Sequence, residues 1–238
     1  MNLITSAFRW LICGLLMLVW YPLLIGGSYV VPMARLHRPA RFIFWLTMRV
    51  LGARLVVRGL EHIDPARAYL YMGNHVNLFD PFAFVAAVPQ FVVAVEKRPN
   101  FKIPIYGWLI GRWGNIPIDR DNPASALRTL VELGQRVKGG ESICLMPEGT
   151  RTRTGEMGEF KNGPFRVAVD AKAQVIPFAL KGMHAFNQTG SFRVRRAVVE
   201  VIFTAPIDAG EYDKRTLQAL SDLVREQTLV ALGDPDAG

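Results

Sequence analysis

The stretch AYLYMGNHVNLFDPFAFVAAV, residues 68–88, holds one complete strand–loop–helix unit. Its first part, Ala68–Met72, is a short apolar run that is typical of a buried strand. An aspartate followed by proline often begins a helix, so we predict a helix over Pro81–Val88 with Asp80 as its N-cap. A strand that passes through a short loop into a helix is the repeating unit of α/β proteins.

The same alternation continues along the chain. Further strands are predicted at Phe91–Val95, Asn115–Ile118, Ser142–Met146, Val175–Leu180 and Val198–Phe203, and helices at Pro123–Lys138, Phe165–Lys172 and Lys214–Leu232. This order predicts an α/β fold with a mostly parallel or mixed sheet flanked by helices, to which Arg193–Phe203 could add antiparallel edges.

The amino-terminal part is different in character, because no residue from Trp10 to Ala34 is charged. About 20 apolar residues are enough to span a bilayer. Pro22 and the pair Gly26-Gly27 interrupt the run and would suit a kinked helix or a hairpin that dips into one leaflet. A cleaved signal peptide is the alternative, but little charge precedes the run and no A-x-A cleavage site follows it. We therefore predict a membrane-anchoring helical segment, 1–58, followed by an α/β domain, 59–238.

The formal net charge of +8 arises mainly from this segment. Seven arginines precede Glu61, the first acidic residue: Arg9, Arg35, Arg38, Arg41, Arg49, Arg54 and Arg58. Beside an apolar run they favour an anionic membrane surface, and no RNA-binding motif supports a nucleic-acid partner. The aromatic-rich Arg41–Arg58 suggests an interfacial helix, or alternatively an ordinary core helix. More arginines follow the apolar run than precede it, which predicts a cytoplasmic domain.

The chemistry that the sequence offers lies in three loops. His75 follows a predicted strand, and a histidine oriented by a carboxylate such as Asp80 is a suitable base for an alcohol. Pro147–Arg151 follows another strand, where backbone amides and a guanidinium suit phosphate or a developing oxyanion, and Lys161 could close the same loop. Arg120 ends a third strand. Each loop alone could equally be a helix cap, a surface turn or an ion pair.

Metal and cofactor chemistry have no support in the sequence. Its two cysteines and four histidines lack metal-ligand spacing, and no P-loop, G-x-G-x-x-G or G-x-S-x-G motif occurs. We predict no metal and no cofactor.

Taken together and in this order, the loops resemble the lysophosphatidic acid (1-acylglycerol-3-phosphate) acyltransferase family of glycerolipid acyltransferases. Four blocks match: N-H-x4-D at Asn74, His75 and Asp80; a glycine and an apolar strand ending in arginine at Gly114–Arg120; P-E-G-T-R at Pro147–Arg151; and V-I-P at Val175–Pro177. The likeness covers roughly Leu55 to Leu180. Asn77 stands where the family often has serine.

The resemblance implies a reaction in which His75, oriented by Asp80, deprotonates a glycerol hydroxyl that attacks the thioester of acyl-CoA or acyl-carrier protein directly. The residues expected to bind or shape the lysophospholipid site are Asn74, Arg120, Glu148, Gly149, Thr150, Arg151 and Lys161. The product would be phosphatidic acid. Another lysolipid or glycerol 3-phosphate as acceptor, or a non-catalytic membrane-anchored lipid-binding module, are the alternatives.

Overall fold

One sheet organises the chain. The computed structural model describes residues 3–119 and 122–233, and within these ranges eight strands occur. They are Ala53–Arg58 (β1), Leu70–Gly73 (β2), Val93–Lys97 (β3), Ile116–Ile118 (β4), Ile143–Leu145 (β5), Gln174–Lys181 (β6), Ala197–Phe203 (β7) and Ile207–Asp208 (β8). The strand order is β1-β7-β6-β2-β5-β3-β4, with β8 beside β6.

Helices connect and cover the strands. They are Leu3–Gly27 (α1), His37–Leu51 (α2), Asp80–Ala87 (α3), Tyr106–Trp113 (α4), Pro123–Lys138 (α5), Asn162–Ala171 (α6), Met183–Phe186 (α7) and Leu217–Leu232 (α8). The start of α5 follows the predicted chemistry, because the Asn122 side chain accepts a hydrogen bond from the Ser125 N–H.

The predicted α/β class is confirmed. Five strand pairs are parallel, and only β6 makes antiparallel pairs, with β7 and β8, among the described residues. The antiparallel strand β7 does not end the sheet, since β1 pairs with its other side. β2 is buried along its whole length, as expected for a central strand with both faces covered.

The helix predicted over Arg41–Arg58 is wrong beyond Leu51. α2 ends at Gly52, whose φ of 101° is a left-handed conformation that glycine adopts readily, and β1 begins at the next residue. The boundary after residue 58 stays a prediction, but β1 precedes it and belongs to the sheet.

The apolar segment forms one helix, α1, which runs unbroken from Leu3 to Gly27 with Pro22 inside it, so the chain does not turn back at Pro22. It turns after Gly27, and whether α1 spans a bilayer or lies in one leaflet stays a prediction. Among the described helices it alone is long and apolar enough, by length and composition, to cross a membrane.

The two faces of α1 have different surroundings. One face packs on the rest of the protein: the Arg9 guanidinium donates to the Val194 carbonyl at 3.1 Å, and the Trp10 indole donates to the Phe192 carbonyl at 2.8 Å. The other face is exposed and apolar, including Leu11, Leu15 and Leu18. A helix attached on one side therefore presents an apolar surface on the other.

Candidate active site

Two loops meet because the strands before them are neighbours. In the parallel pair β2–β5, Met72 lies opposite Leu145, so the chain leaves both strands at the same edge of the sheet. The loop after β2 carries His75, and the loop after β5 carries Arg151. Ligands of α/β proteins commonly bind at the carboxyl ends of parallel strands.

His75 and Asp80 form the central pair. The His75 Nδ1 lies 2.7 Å from the Asp80 Oδ2. Because an ionised carboxylate only accepts, Nδ1 carries the proton, and the imidazole can take up a proton through Nε2. Asp80 is fully buried, whereas the His75 side chain is partly exposed. The pair therefore has the geometry of a base oriented by a buried carboxylate.

Asp80 also holds the loop that it closes. Its Oδ2 accepts the Val76 N–H at 2.6 Å, and both carboxylate oxygens accept the Asn77 N–H, at 3.0 and 3.1 Å. It is the first residue of α3, and the N-cap is Phe79, so the prediction that Asp80 is the N-cap is wrong. The carboxylate turns back to the loop, which curls towards it.

Glu148 joins the two loops. One of its carboxylate oxygens accepts the His75 N–H at 2.6 Å, and the other accepts the Gly158 N–H at 2.9 Å. The His75 carbonyl in turn accepts the Thr152 N–H at 2.9 Å. Burial raises the pKa of Glu148, and the two backbone donors oppose this shift by stabilising its ionised form. The backbone of His75 is thereby fixed on both sides by the Pro147–Arg151 loop and its continuation.

Asn74 and Asn77 position the same loop from the side of β6. The Asn74 carboxamide donates to the Leu180 carbonyl and accepts the Leu180 N–H, at 3.3 and 2.7 Å. The Asn77 carboxamide donates to the carbonyls of Met183 and Asn187, at 2.9 and 2.7 Å. Both side chains are buried, so Asn77 has a supporting function that needs no hydroxyl group.

Lys161 reaches the same site, as the sequence predicted. Its Nζ lies 3.1 Å from the point where a Cβ on Gly149 would be, and Gly149 has a φ of 71°. The Lys161 N–H also donates to the Pro147 carbonyl at 3.0 Å. A side chain at position 149 would crowd this amine, so glycine allows the lysine and the loop to lie together.

His75 lines a cavity of about 470 Å³. Its polar part includes Gly149, Thr150, Arg151 and Lys161. Beyond them the walls are largely apolar and come from α3, α4, α5 and strands β3 and β5, with Phe82, Leu109 and Leu133 among the lining residues. Tyr21 from α1 lines it too. The cavity thus combines cationic residues with a largely apolar wall, which suits an amphipathic anionic ligand.

The residues predicted for the site separate into two groups. His75, Gly149, Thr150, Arg151 and Lys161 line the cavity, whereas Asn74, Asp80 and Glu148 lie behind it and support the loops. Arg120 lies outside the described residues.

Among the cavity residues to which the sequence assigns no function are Glu96, Lys97 and Tyr106. Lys97 is the last residue of β3, which lies next to β5 in the sheet. A cation at the carboxyl end of a predicted strand is the signal that could have identified Lys97. Glu96 and Tyr106 meet only through the turn between β3 and α4, and that turn has no simple sequence signature.

Comparison with known proteins adds an independent line of observation. A family model described as "Acyltransferase" matches residues 54–181, more than half of the chain. A 1-acyl-sn-glycerol-3-phosphate acyltransferase of Pseudomonas aeruginosa is 33% identical over 172 residues, 72% of this chain and 66% of that protein. One of Cocos nucifera is 29% identical over 189 residues, 79% of this chain and 59% of that protein. The chain thus spans about three fifths to two thirds of the length of these relatives.

The fold also has a solved counterpart. The crystal structure of the 1-acyl-sn-glycerophosphate (LPA) acyltransferase PlsC from Thermotoga maritima matches with a TM-score of 0.87, over 100% of this chain and 97% of that one. The sequences are 20% identical, so this likeness concerns the fold.

Proposed function

Since the chain belongs to the acyltransferase family, we propose that it transfers a fatty acyl group from acyl-CoA or acyl-carrier protein to the free hydroxyl of 1-acylglycerol 3-phosphate, forming phosphatidic acid. The observation that carries the proposal is the His75–Asp80 contact of 2.7 Å, with His75 in the wall of a cavity that has one cationic and one apolar part. The acceptor named in the matching relatives' descriptions has the same two parts, a phosphate and an acyl chain.

The reaction follows from these groups in one sequence of steps. The His75 Nε2 takes the proton of the acceptor hydroxyl as its oxygen attacks the thioester carbonyl. Asp80 stabilises the imidazolium that forms. The carbon–sulfur bond then breaks, the ester remains on the acceptor, and the leaving thiolate receives the proton from His75.

Direct transfer of the acyl group, without an acyl-enzyme intermediate, is consistent with the buried position of Cys144. Cys144 lies in β5 and is buried, and burial raises the pKa of its thiol. A thiol held in its neutral form is a poor nucleophile, which argues against an acyl-enzyme at this residue.

Binding in this proposal divides between the two parts of the cavity. Arg151 and Lys161 hold the acceptor phosphate, with Gly149 and Thr150 shaping the loop, and an acyl chain lies along the apolar walls. Catalysis takes place at a membrane, because both lipids reside there. The apolar face of α1 anchors the protein, and the arginines after it favour a domain on the cytoplasmic side.

The test is acyl transfer in detergent by wild type and His75→Ala, with labelled acyl-CoA or acyl-carrier protein and 1-acylglycerol 3-phosphate. His62→Ala is the matched control, since His62 does not line the cavity. We expect phosphatidic acid from wild type and control and a loss of at least about 10³-fold in His75→Ala. Product from another acceptor only would change the substrate, and no transfer to any acceptor would favour a non-catalytic lipid-binding module.

A further inference from the structure

One polar cluster in the wall of the cavity has no part in the reaction described above. It consists of Glu96, Asn100 and Tyr106, and we refer to it as the Glu96 cluster; all three residues line the cavity. The Tyr106 hydroxyl donates to the Glu96 Oε1 at 2.9 Å, and the Asn100 amide nitrogen donates to the Glu96 Oε2 at 2.8 Å. A carboxylate is unexpected in a cavity that is proposed to bind an anionic lipid, because like charges repel.

The directions of these hydrogen bonds determine what the cluster offers to a ligand. Burial raises the pKa of Tyr106, and so does the neighbouring Glu96 carboxylate, so the hydroxyl keeps its proton and donates it to Glu96. The Asn100 amide nitrogen donates one of its two N–H groups to Glu96. Oxygen lone pairs remain on all three side chains, together with the second N–H of Asn100. Acceptors therefore predominate, and the Glu96 carboxylate is complementary to a hydrogen-bond donor.

The charge of Glu96 narrows the choice among donors. Glu96 is half-buried, and within residues 3–119 and 122–233 no lysine or arginine nitrogen lies within 4 Å of its carboxylate. A partly desolvated carboxylate without a cation is costly, and a cationic ligand group would offset that cost. A neutral amide or hydroxyl would satisfy the lone pairs but would leave the charge uncompensated.

The backbone holds the cluster in a strained conformation. Ile105, directly before Tyr106, has φ 64° and ψ −57°, and the Tyr106 N–H donates to the Pro104 carbonyl at 2.7 Å. These values define a γ-turn of the rare type, which is unfavourable for a β-branched residue. At Gly107 a Cβ would lie 2.3 Å from the Phe101 carbonyl oxygen, so the turn also needs glycine there. Strain of this kind persists where the surrounding structure fixes it, often at binding sites.

The phosphate site proposed above lies in the same cavity as this cluster. Lys97 is the next residue after Glu96 and lines the same cavity as Arg151, and the positive charge of Arg151 acts on the Tyr106 hydroxyl. A cationic region therefore occurs in one cavity with a carboxylate that makes no close ion pair with a described residue. That pairing matches a headgroup in which an anionic group and an ammonium group are joined.

We propose that the Glu96 cluster binds the ammonium group of a zwitterionic lysolipid, so that the acceptors of this protein include lysolipids that carry an amine in their headgroup. The inference rests on the proposed function, since it assigns a second acceptor class to the same site. The anionic group of such a lipid lies towards Lys97 and Arg151, and its free hydroxyl lies at His75.

The experiment compares two acceptors that differ only in the headgroup amine: 1-acylglycerol 3-phosphate and 1-acylglycerophosphoethanolamine. Their kcat/KM values are measured in mixed micelles with wild type, Glu96→Gln, Tyr106→Phe and the exposed control Glu132→Gln. We expect wild type and control to use both lipids. Glu96→Gln keeps the side-chain shape and removes the charge, so it should lose about tenfold or more on the amine lipid and little on 1-acylglycerol 3-phosphate. Tyr106→Phe should shift the ratio in the same direction.

The possible results distinguish a failure of the ammonium site from a failure of the proposed function. Equal losses on both acceptors in Glu96→Gln, an unchanged ratio, or an effect only on the KM of the acyl donor would overturn the ammonium site and leave the proposed function intact. Use of the amine lipid alone would support the site and correct the acceptor. If no lipid is turned over, the proposed function fails. Calorimetric binding of the amine lipid to wild type and Glu96→Gln then decides: about tenfold weaker binding by the variant supports the site, and equal or undetectable binding overturns it.

Discussion

At the scale of single residues, Asp80 determines which nitrogen of His75 can act. Its Oδ2 accepts the hydrogen bond of the Nδ1–H group at an Nδ1–Oδ2 distance of 2.7 Å, which leaves the basic lone pair on Nε2. An asparagine at position 80 can present either an oxygen or an NH₂ group to the ring, and the second choice turns the tautomer around. It also removes the negative charge that stabilises the imidazolium.

We therefore expect Asp80→Asn to lower kcat by about 10²- to 10⁴-fold with a smaller change in KM. Steady-state acyl transfer measures the two constants, and far-UV circular dichroism verifies that the variant is folded. Wild-type turnover in the folded variant would mean that Asp80 serves only to close the loop and begin α3.

Glu148 connects His75 to the loop of the cationic residues, and its two oxygens accept two backbone N–H groups. In Glu148→Gln only one oxygen remains, and the NH₂ group then faces a backbone donor. A buried donor left without a partner costs about 1–3 kcal/mol. The continuation of the loop, Thr152–Phe160, should loosen, and Arg151 and Lys161 lie at its two ends.

We expect the apparent KM for the lysolipid to rise by about tenfold in Glu148→Gln, since 1.4 kcal/mol corresponds to one factor of ten. Glu159→Gln is the control, because Glu159 lies in the same loop and is exposed. If both variants have the KM of wild type, the contact of Glu148 with Gly158 does not hold the loop in its binding conformation.

At the scale of helices and strands, His37 attaches the start of α2 to the end of α3. Its Nε2 lies 3.2 Å from the Val88 carbonyl, and its ring meets the edges of Phe91 and Trp113. Burial lowers the pKa of His37 from 6.5 to about 4. Between these values the unfolded chain binds a proton that the folded protein does not, so the stability contributed by neutral His37 is present above pH 6.5 and is lost as the pH falls towards 4.

His37→Gln should therefore reduce the pH dependence of stability. One titrating group contributes at most about 1.4 kcal/mol per pH unit to the free energy of unfolding. Thermal unfolding in detergent, followed by tryptophan fluorescence from pH 7.5 to 4.5, measures the slope, and His62→Gln is the control. Equal slopes in wild type and His37→Gln would mean that His37 is protonated in the folded protein.

Some helices and strands could be predicted from the sequence because a local pattern is enough to define them. The runs at residues 68–72 and 142–146 are short and apolar and end in loops with His75 and Gly149, and local pattern is enough to predict β2 and β5. The end of α2 also has a local signal, because Gly52 with its φ of 101° caps the helix. The pairing of the next strand, β1, with β7 joins residues more than 140 positions apart. No local pattern contains that pairing, so the sequence predicts a helix where β1 lies.

The candidate site likewise contains contacts that the local sequence predicts and contacts that it does not. His75 and Asp80 are five residues apart, and their pairing through a curled loop was predictable from the strand before them and the proline after them. The Glu96 cluster depends on a strained turn at Ile105, and the anchoring of Asn77 depends on the carbonyls of Met183 and Asn187. Contacts made by strained or distant backbone leave no periodic signal in the sequence.

At the scale of the whole molecule, α1 would connect the cavity to a membrane in the proposed function. Its inner face packs on the protein and contributes Tyr21 to the cavity wall, while its outer face carries Leu11, Leu15 and Leu18 with 60, 53 and 59% exposure. Exposing so much apolar surface on one helix to water is unfavourable, whereas contact of that surface with the apolar part of a bilayer is favourable. An anchor that also lines the cavity would keep the site at the depth where its lipids reside.

Charges on the outer face should therefore release the protein from membranes without unfolding it. In the triple variant Leu11→Glu, Leu15→Glu and Leu18→Glu, each acidic side chain opposes insertion by about 2–3 kcal/mol, whereas the inner face is unchanged. The matched control adds the same three charges at exposed apolar positions of α5 and α8: Leu127→Glu, Val131→Glu and Val230→Glu. After an alkaline wash, wild type and control should remain in the membrane pellet and the α1 variant should appear in the supernatant. Both variants should keep turnover in detergent micelles, so retention of the α1 variant in the pellet would show that another surface holds the protein to the membrane.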